Sequence, residues 1–240
     1  MPPKGLPGVG QHELFRLHQT LALTPVGESR HFQSGVTYRT LCRNCNTVLL
    51  GGRYDPALIE FANSVVHGLR AATYGTHELD VTFLPNLVMR AAAGHLLAIG
   101  VEAPAAGPAE TAIRDFFMDE SKVLPPELEF HAWVYPSNRR VLIRGGIRDE
   151  LGVTPNMLHY FLLKFFPLAL MFTFDSSLPL PGRLPSLAGA RSLGLRDAID
   201  ALLPLRDVPP IWWPELPGDD NHAVCVHGDR SAVSLPRRQR

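Results

Sequence analysis

The stretch from Met157 to Phe174 constrains this 240-residue chain more than any other, because its apolar and aromatic side chains fall on both faces, with Lys164 and Pro167 interrupting them. Strict alternation would mark a half-buried strand, and a one-sided stripe would mark an amphipathic helix. A run that is apolar all round has to be enclosed on every side. It is short for a membrane span, and it reads as buried structure in a soluble protein. Strand and helix both fit the run. Pro167 counts against an unbroken helix, since it lacks a backbone donor and its ring clashes with the preceding turn. One or two buried strands are the favoured reading.

The remaining composition allows such a core. At 45% hydrophobic, the chain can bury one core, or one core with a small appended module. Its 23 basic and 23 acidic residues balance, so it is not a strong electrostatic binder of nucleic acid overall, and any DNA contact must be local. The 22 prolines and 20 glycines point to long loops and short elements. Three cysteines, Cys42, Cys45 and Cys225, are no disulfide framework and suit a reducing cytoplasm. Met1–Gly10 is rich in Pro and Gly and lacks the apolar core of a signal peptide. A cytoplasmic location with no membrane association is the expectation.

Helical spacing allows a short helix over Gln11–Ala22, and β-branched and aromatic residues suggest a strand over Ser34–Leu41. Gly51-Gly52-Arg53-Tyr54-Asp55-Pro56 reads as a turn ending in a helix start, with Asp55 as N-cap and Pro56 at the first helical position. That helix carries Leu58, Phe61, Val65 and Leu69 on one face and runs to about Ala72. A short strand at Val81–Leu84 precedes helices over Asn86–Ile99, where Ala91-Ala92-Ala93-Gly94 permits close packing, and over Pro108–Met118. Glu127–Tyr135 and Arg140–Ile147 look like a hairpin around Pro136-Ser137-Asn138. A short helix is expected near Leu195–Leu203, and 217–240 reads as a disordered tail ending in the basic Pro236-Arg237-Arg238-Gln239-Arg240. The fold class is therefore α+β: a small incomplete module over 1–54, then helices followed by antiparallel strands over 55–216.

Chemistry concentrates at Cys42-Arg43-Asn44-Cys45. Two thiolates three residues apart can grip one tetrahedral Zn²⁺ from a single turn, but a structural zinc site needs four ligands. There is no second C-x-x-C; Cys225 is distant and flanked by His222 and His227, and His12, His18 and His31 lie upstream. A pair of thiols without metal is the plainer alternative. A thioredoxin-like redox pair needs the motif between a strand and a helix N-terminus in a βαβ context, and Gly51 and Gly52 interrupt here. Arg39, Arg43 and Arg53 flank the motif and could contact phosphates, or be ordinary surface arginines.

Leu41-Cys42-Arg43-Asn44-Cys45-Asn46, followed by Leu50-Gly51-Gly52, resembles the second half of the HNH endonuclease motif, especially in bacterial HNH-like proteins. The resemblance covers roughly residues 1–60. It implies a ββα-metal or zinc-ribbon-like fold over 1–54, in which Cys42 and Cys45 hold a structural Zn²⁺ with other ligands missing from this chain. It also implies that Asn46 helps hold a catalytic Mg²⁺ or another divalent ion, with DNA as partner. The implied reaction is metal-assisted phosphodiester hydrolysis, with a His as general base toward water. The family's earlier C-x-x-C and His-x-x-Pro elements are absent. Met1-Pro2-Pro3-Lys4-Gly5-Leu6 looks like the tail of such a segment, so a start upstream of Met1, or an N-terminally truncated and inactive remnant, is expected; the alternative is that Met1 is the true start. Nothing matches the general base, and His31 is the nearest substitute. The alternative function is a non-catalytic zinc-binding module that recognises nucleic acid or a protein partner.

Other features have plainer readings. Asp115, Asp119 and Glu120 are read as a solvated helix face, and His95 as a satisfied core or edge histidine. Trp212-Trp213-Pro214 either binds a partner or caps a core. Arg139, Arg140, Arg144 and Arg148 form a basic stripe on the expected hairpin, a second place for DNA contact.

Overall fold

The computed structural model describes residues 12–15, 30–32, 41–99, 107–150, 156–174, 176–177, 179–182, 184–217, 222–226 and 230–236. It is an α+β chain. Short strands β1 (His12–Phe15) and β2 (Arg30–Phe32) come first, so the segment expected to be helical from Gln11 contains a strand instead. A π-helical segment, Asn44–Tyr54, runs without a break into helix α1, Asp55–Ala71. Strand β3 (Glu78–Phe83), helix α2 (Pro85–Leu97) and helix α3 (Pro108–Met118) follow. Pro85 and Pro108 open their helices where a missing N–H leaves no bond unmade. The strand expected over Ser34–Leu41 lies almost wholly outside the described residues.

The second half is a sheet. Its strands are β4 (Leu128–Val134), β5 (Arg140–Glu150), β6 (Asn156–Phe165), β7 (Leu168–Phe174), β9 (His222–Val226) and β10 (Ser231–Pro236), while β8 (Ile199–Pro204) pairs with β3 in a separate ribbon. The order is β2-β1-β10-β5-β6-β7-β4, and all pairings are antiparallel. β10 takes Arg140–Ile143 of β5 and β9 takes Gly146–Glu150, so two strands share one edge. The ladder shifts register between Ile143 and Gly146, where Gly145 has φ +88°. Only glycine enters that region without steric cost, as a bulge requires.

The run from Met157 to Phe174 becomes the β6–β7 hairpin, turning at the cis Phe166–Pro167 bond. Its two apolar faces serve two cores. Phe161, Leu163, Phe165, Leu168, Leu170 and Phe172 pack in the core shared with the helices. Leu158, Tyr160, Leu162, Ala169 and Met171 pack in a second core with Trp133, Tyr135 and Trp213.

Several expectations fail for identifiable reasons. β4 and β5 are not a hairpin: β4 pairs with β7 in a Greek-key arrangement, and the link from Val134 to Arg140 passes the ends of β6 and β7. That crossing is roughly 14 Å at about 4.8 Å per strand spacing, within reach of an extended link at about 3.3 Å per residue. The expected helix near Leu195–Leu203 is strand β8, where Asp200 and Leu202 are exposed between the more buried Ile199, Ala201 and Leu203. Period-two alternation won over helix-forming composition. Within 217–240, expected to be disordered, β9 and β10 extend the main sheet.

Candidate functional site

The Gly51–Pro56 turn expected from the sequence is helical throughout, and Asp55 does not cap it. The reason lies in the buried set Cys45, Leu50 and Tyr54. On an α-helix of 3.6 residues per turn, positions five and nine further on would lie about 140° and about 180° away from the first. The wider i→i+5 turn of a π-helix brings them onto one stripe. A Cβ at Gly51 would sit 3.1 Å from the Asn46 carbonyl oxygen, and one at Gly52 3.1 Å from that of Thr47, five residues back in each case. The two glycines thus relieve the crowding of the wide turn rather than ending the helix. Leu50 enters a gap at Gly94 of α2, where a Cβ would stand 2.7 Å from Leu50 Cδ1 and 2.6 Å from the Phe117 ring.

Cys42 performs the capping at the start of this helix. Its carbonyl accepts the Asn46 N–H at 2.9 Å, and its Sγ accepts the Cys45 N–H at 3.2 Å. Sulfur here takes the place that Ser or Asp oxygen takes in ordinary caps. The two sulfurs lie 2.9 Å apart, Cys42 exposed and Cys45 buried. Their acidities diverge. The hydrogen bond shared with Cys45, then the Cys45 N–H, holds the Cys42 thiol below its ordinary value. The bond to Cys42, then burial, pushes Cys45 above it. Met118 Sδ lies 3.7 Å from Cys45 Sγ, closing its inner side.

The turn that carries Met118 is held firmly. Arg90, fully buried on α2, donates to the carbonyls of Asp119 (3.0 Å), Glu120 (3.3 Å), Lys122 (2.7 Å) and, at short range, Phe116, while its Nε–H donates to Asn86 Oδ1 at 2.8 Å. From the π-helical segment, the Tyr54 hydroxyl reaches the Phe117 carbonyl (3.3 Å) and Glu120 (3.2 Å), and Arg53 pairs with Glu120 at 2.6 Å. Burial pushes Tyr54 up to about 12. Behind the segment, buried His95 meets Asp55 at 2.9 Å, and burial holds the imidazole below its ordinary value despite that carboxylate. His95 is thus the satisfied core histidine expected.

Arg43 and Asn46 are exposed beside the cysteines, and Arg53 is exposed but paired with Glu120. His31 lies on β2, where only its backbone is described, and Arg39 falls outside the described residues. Cys225 pairs through β9 with Ile147. No group of three or more His, Cys, Asp or Glu is gathered among the described residues. No family model, curated protein or solved structure matches this chain.

The arginine stripe expected to face DNA is buried instead. Arg144 donates to the Ile99 carbonyl and pairs with buried Glu110, and Arg148 donates to the carbonyls of Pro214 and Leu216. Arg139 stands 3.7 Å from Glu215 and over the Trp212 ring. Trp213 enters the second core. Arg139, Arg148 and Trp213 strap the segment around 211–216 onto the sheet, while Arg144 ties β5 to Ile99 and to Glu110 of α3. Asp119 is spent locally on Ser121. Sequence reasoning missed the centre of that strap, Lys164 with Glu215, although a lone lysine in an apolar run was its signal. It also missed a groove of about 790 Å³ between α1 and β3, lined by Glu60, Ser64, His67 and Asp80 among others.

Among the described residues, no helix is long and apolar enough to cross a membrane.

Proposed function

We propose that this chain carries the cysteine–asparagine half of an HNH-type zinc module acting on DNA, as a nuclease or as the remnant of one. One observation carries the reading: Cys42-x-x-Cys45-Asn46 sits in the opening turn of a long helix, where the resemblance puts it in a ββα arrangement. Two sulfurs on one turn fit half of a structural zinc site. A tetrahedral site with Zn–S of about 2.3 Å separates two sulfurs by about 3.8 Å. The present 2.9 Å separation has to open by rotation of exposed Cys42. The reading requires two further ligands from outside the described residues. Zinc there would fix the turn as a structural ion. Asn46, exposed one residue on, is the side chain assigned to the catalytic divalent ion, and exposed Arg43 is assigned to a phosphate.

The test is metal content of purified, folded protein, followed by DNA cleavage with and without added Mg²⁺. Near-stoichiometric zinc, lost in Cys42→Ser, supports a module whose further ligands this chain supplies; below roughly 0.2 equivalents in folded protein, the chain as given does not complete a zinc site and the zinc-dependent nuclease reading of it fails. Zinc without cleavage, but with DNA affinity that weakens in Arg43→Ala, moves the function to the non-catalytic binding module.

A further inference from the structure

The unbroken helix removes the interruption that Gly51 and Gly52 raised against a redox role for this pair, and the placement of the two sulfurs adds to it. We propose that Cys42 and Cys45 form a reversible dithiol–disulfide couple, with Cys42 as the attacking sulfur and Cys45 as the resolving one. The roles follow from placement. Cys42 is exposed at the mouth of the turn, and its sulfur accepts the Cys45 N–H at 3.2 Å, which fixes it facing outward above Cys45. Cys45 is buried beneath it, so a dissolved disulfide meets Cys42 first. The two sulfurs are 2.9 Å apart, so the second step needs no backbone movement to bring them together. Met118 Sδ and the turn pinned by Arg90 close the inner side of Cys45, leaving Cys42 as its near partner for exchange.

The co-reactant is a low-molecular-weight disulfide, RSSR. Cys42 gives its proton to solvent and its thiolate attacks one sulfur of RSSR; a Cys42–SR bond forms, the S–S bond breaks, and RS⁻ leaves with the electron pair and takes up a proton from solvent. Cys45 loses its proton to solvent and attacks Cys42 Sγ, forming the Cys42–Cys45 disulfide and expelling the second RS⁻, which is protonated in turn. The chain loses two electrons and two protons, and RSSR becomes two RSH. Excess RSH reverses both steps. Zinc and the disulfide are mutually exclusive states of the same sulfurs. The couple goes beyond the zinc reading and does not require it.

The experiment equilibrates the whole chain, carrying Cys225→Ser to remove the third thiol, with glutathione and its disulfide in the presence of a chelator. Acid quenching, alkylation and mass spectrometry then locate the product. The expected result is an internal Cys42–Cys45 disulfide with little glutathione adduct, reversed by excess glutathione. With Cys45→Ser added, the adduct should accumulate on Cys42 at least ten-fold above the parent; with Cys42→Ser added, capture at residue 45 should fall at least ten-fold below that. A parent that forms no internal disulfide while circular dichroism shows it folded overturns the proposal. Equal capture at both cysteines overturns the assigned roles. A parallel zinc titration keeps the two readings apart: a disulfide without zinc binding sinks only the module, and zinc binding without a disulfide sinks only the couple.

Discussion

Replacing Glu215 by Gln tests how the second core holds an ion pair. Lys164 and Glu215 are both completely buried, and Lys164 Nζ donates to Glu215 at 2.7 Å and to the Ile211 carbonyl at 2.9 Å, with Trp213 O as a third acceptor. Burial pushes Lys164 down to about 8, against the pull of the Glu215 charge and hydrogen bond. A lysine lowered in the fold loses its proton there first. The unfolded chain then binds more protons between about 8 and 10.5, and stability rises with pH across that window. Acting alone, the shift is worth about 3 kcal/mol at about 1.4 kcal/mol per pH unit. Tyr54 and Tyr135, both pushed up to about 12 by burial, act in the opposite sense above pH 10, and the shifted Cys42 and Cys45 thiols add to the profile below it, so the readout is the difference between parent and variant from pH 8 to 10, in which those groups cancel. Glu215→Gln keeps the volume and an acceptor oxygen but removes the charge. Breaking one side of a buried pair costs about 3–5 kcal/mol, and the retained acceptor puts this variant near the lower figure at pH 7. Lys164 then falls further, so the rise in stability begins below pH 8. Urea denaturation of both proteins from pH 6 to 10 measures this. A loss under about 0.5 kcal/mol, within the range of an ordinary surface change, or an unmoved pH profile, would refute the reasoning.

Three further outcomes follow from the same geometry. Arg90→Met strips the donor from four carbonyls of the 116–122 turn and should cost at least about 3 kcal/mol in denaturation; alkylation of Cys45 should quicken as Met118 loosens, and unchanged rates would separate the turn from the thiols. Gly94→Ala should lose about 1–2 kcal/mol by overpacking Phe117 and Leu50, despite alanine's better helix propensity, and a higher melting temperature would show that the gap is slack. His95 and His131 are held below 6.5, in both cases chiefly by burial. The unfolded chain therefore takes up protons first as pH falls, and stability present above 6.5 should be lost below it; a melting temperature as high at pH 5 as at pH 7.5 would contradict this.

The sequence made the helices legible because their boundaries are chemical. Pro85 and Pro108 mark two starts, and Leu58, Phe61 and Val65 repeat at the α spacing. The apolar run declared its burial but not its two-sided role, since periodicity says how much of a strand is covered and not by what. Partners of β4 and β5 were misassigned because a short link with turn residues is compatible with a hairpin and with a crossing. The glycine pair misled for a different reason. Gly51 and Gly52 are ordinarily helix-weakening, and only the stripe Cys45, Leu50, Tyr54, read at a period of four to five, hints at a wider turn. At the site, the cysteine spacing was visible, but which sulfur is buried depends on the core that the helices, far along the chain, close over Cys45. The arginine stripe looked basic in sequence and lies buried, because Glu110, Glu215 and backbone carbonyls meet it only after the chain has folded back.

The divided edge of β5 sets an order in time. Arg140–Ile143 pairs with β10 and Gly146–Glu150 with β9, and both partners are synthesised long after β5 itself. While the ribosome is still translating the intervening segment, β5 offers an unpaired row of backbone donors and acceptors, a template that another nascent chain can join. The irregularity at Gly145 divides that row into two short pieces, each with its own partner in the finished sheet. Short, interrupted edges are poorer templates than long flat ones, and bulges are among the devices by which sheets blunt them.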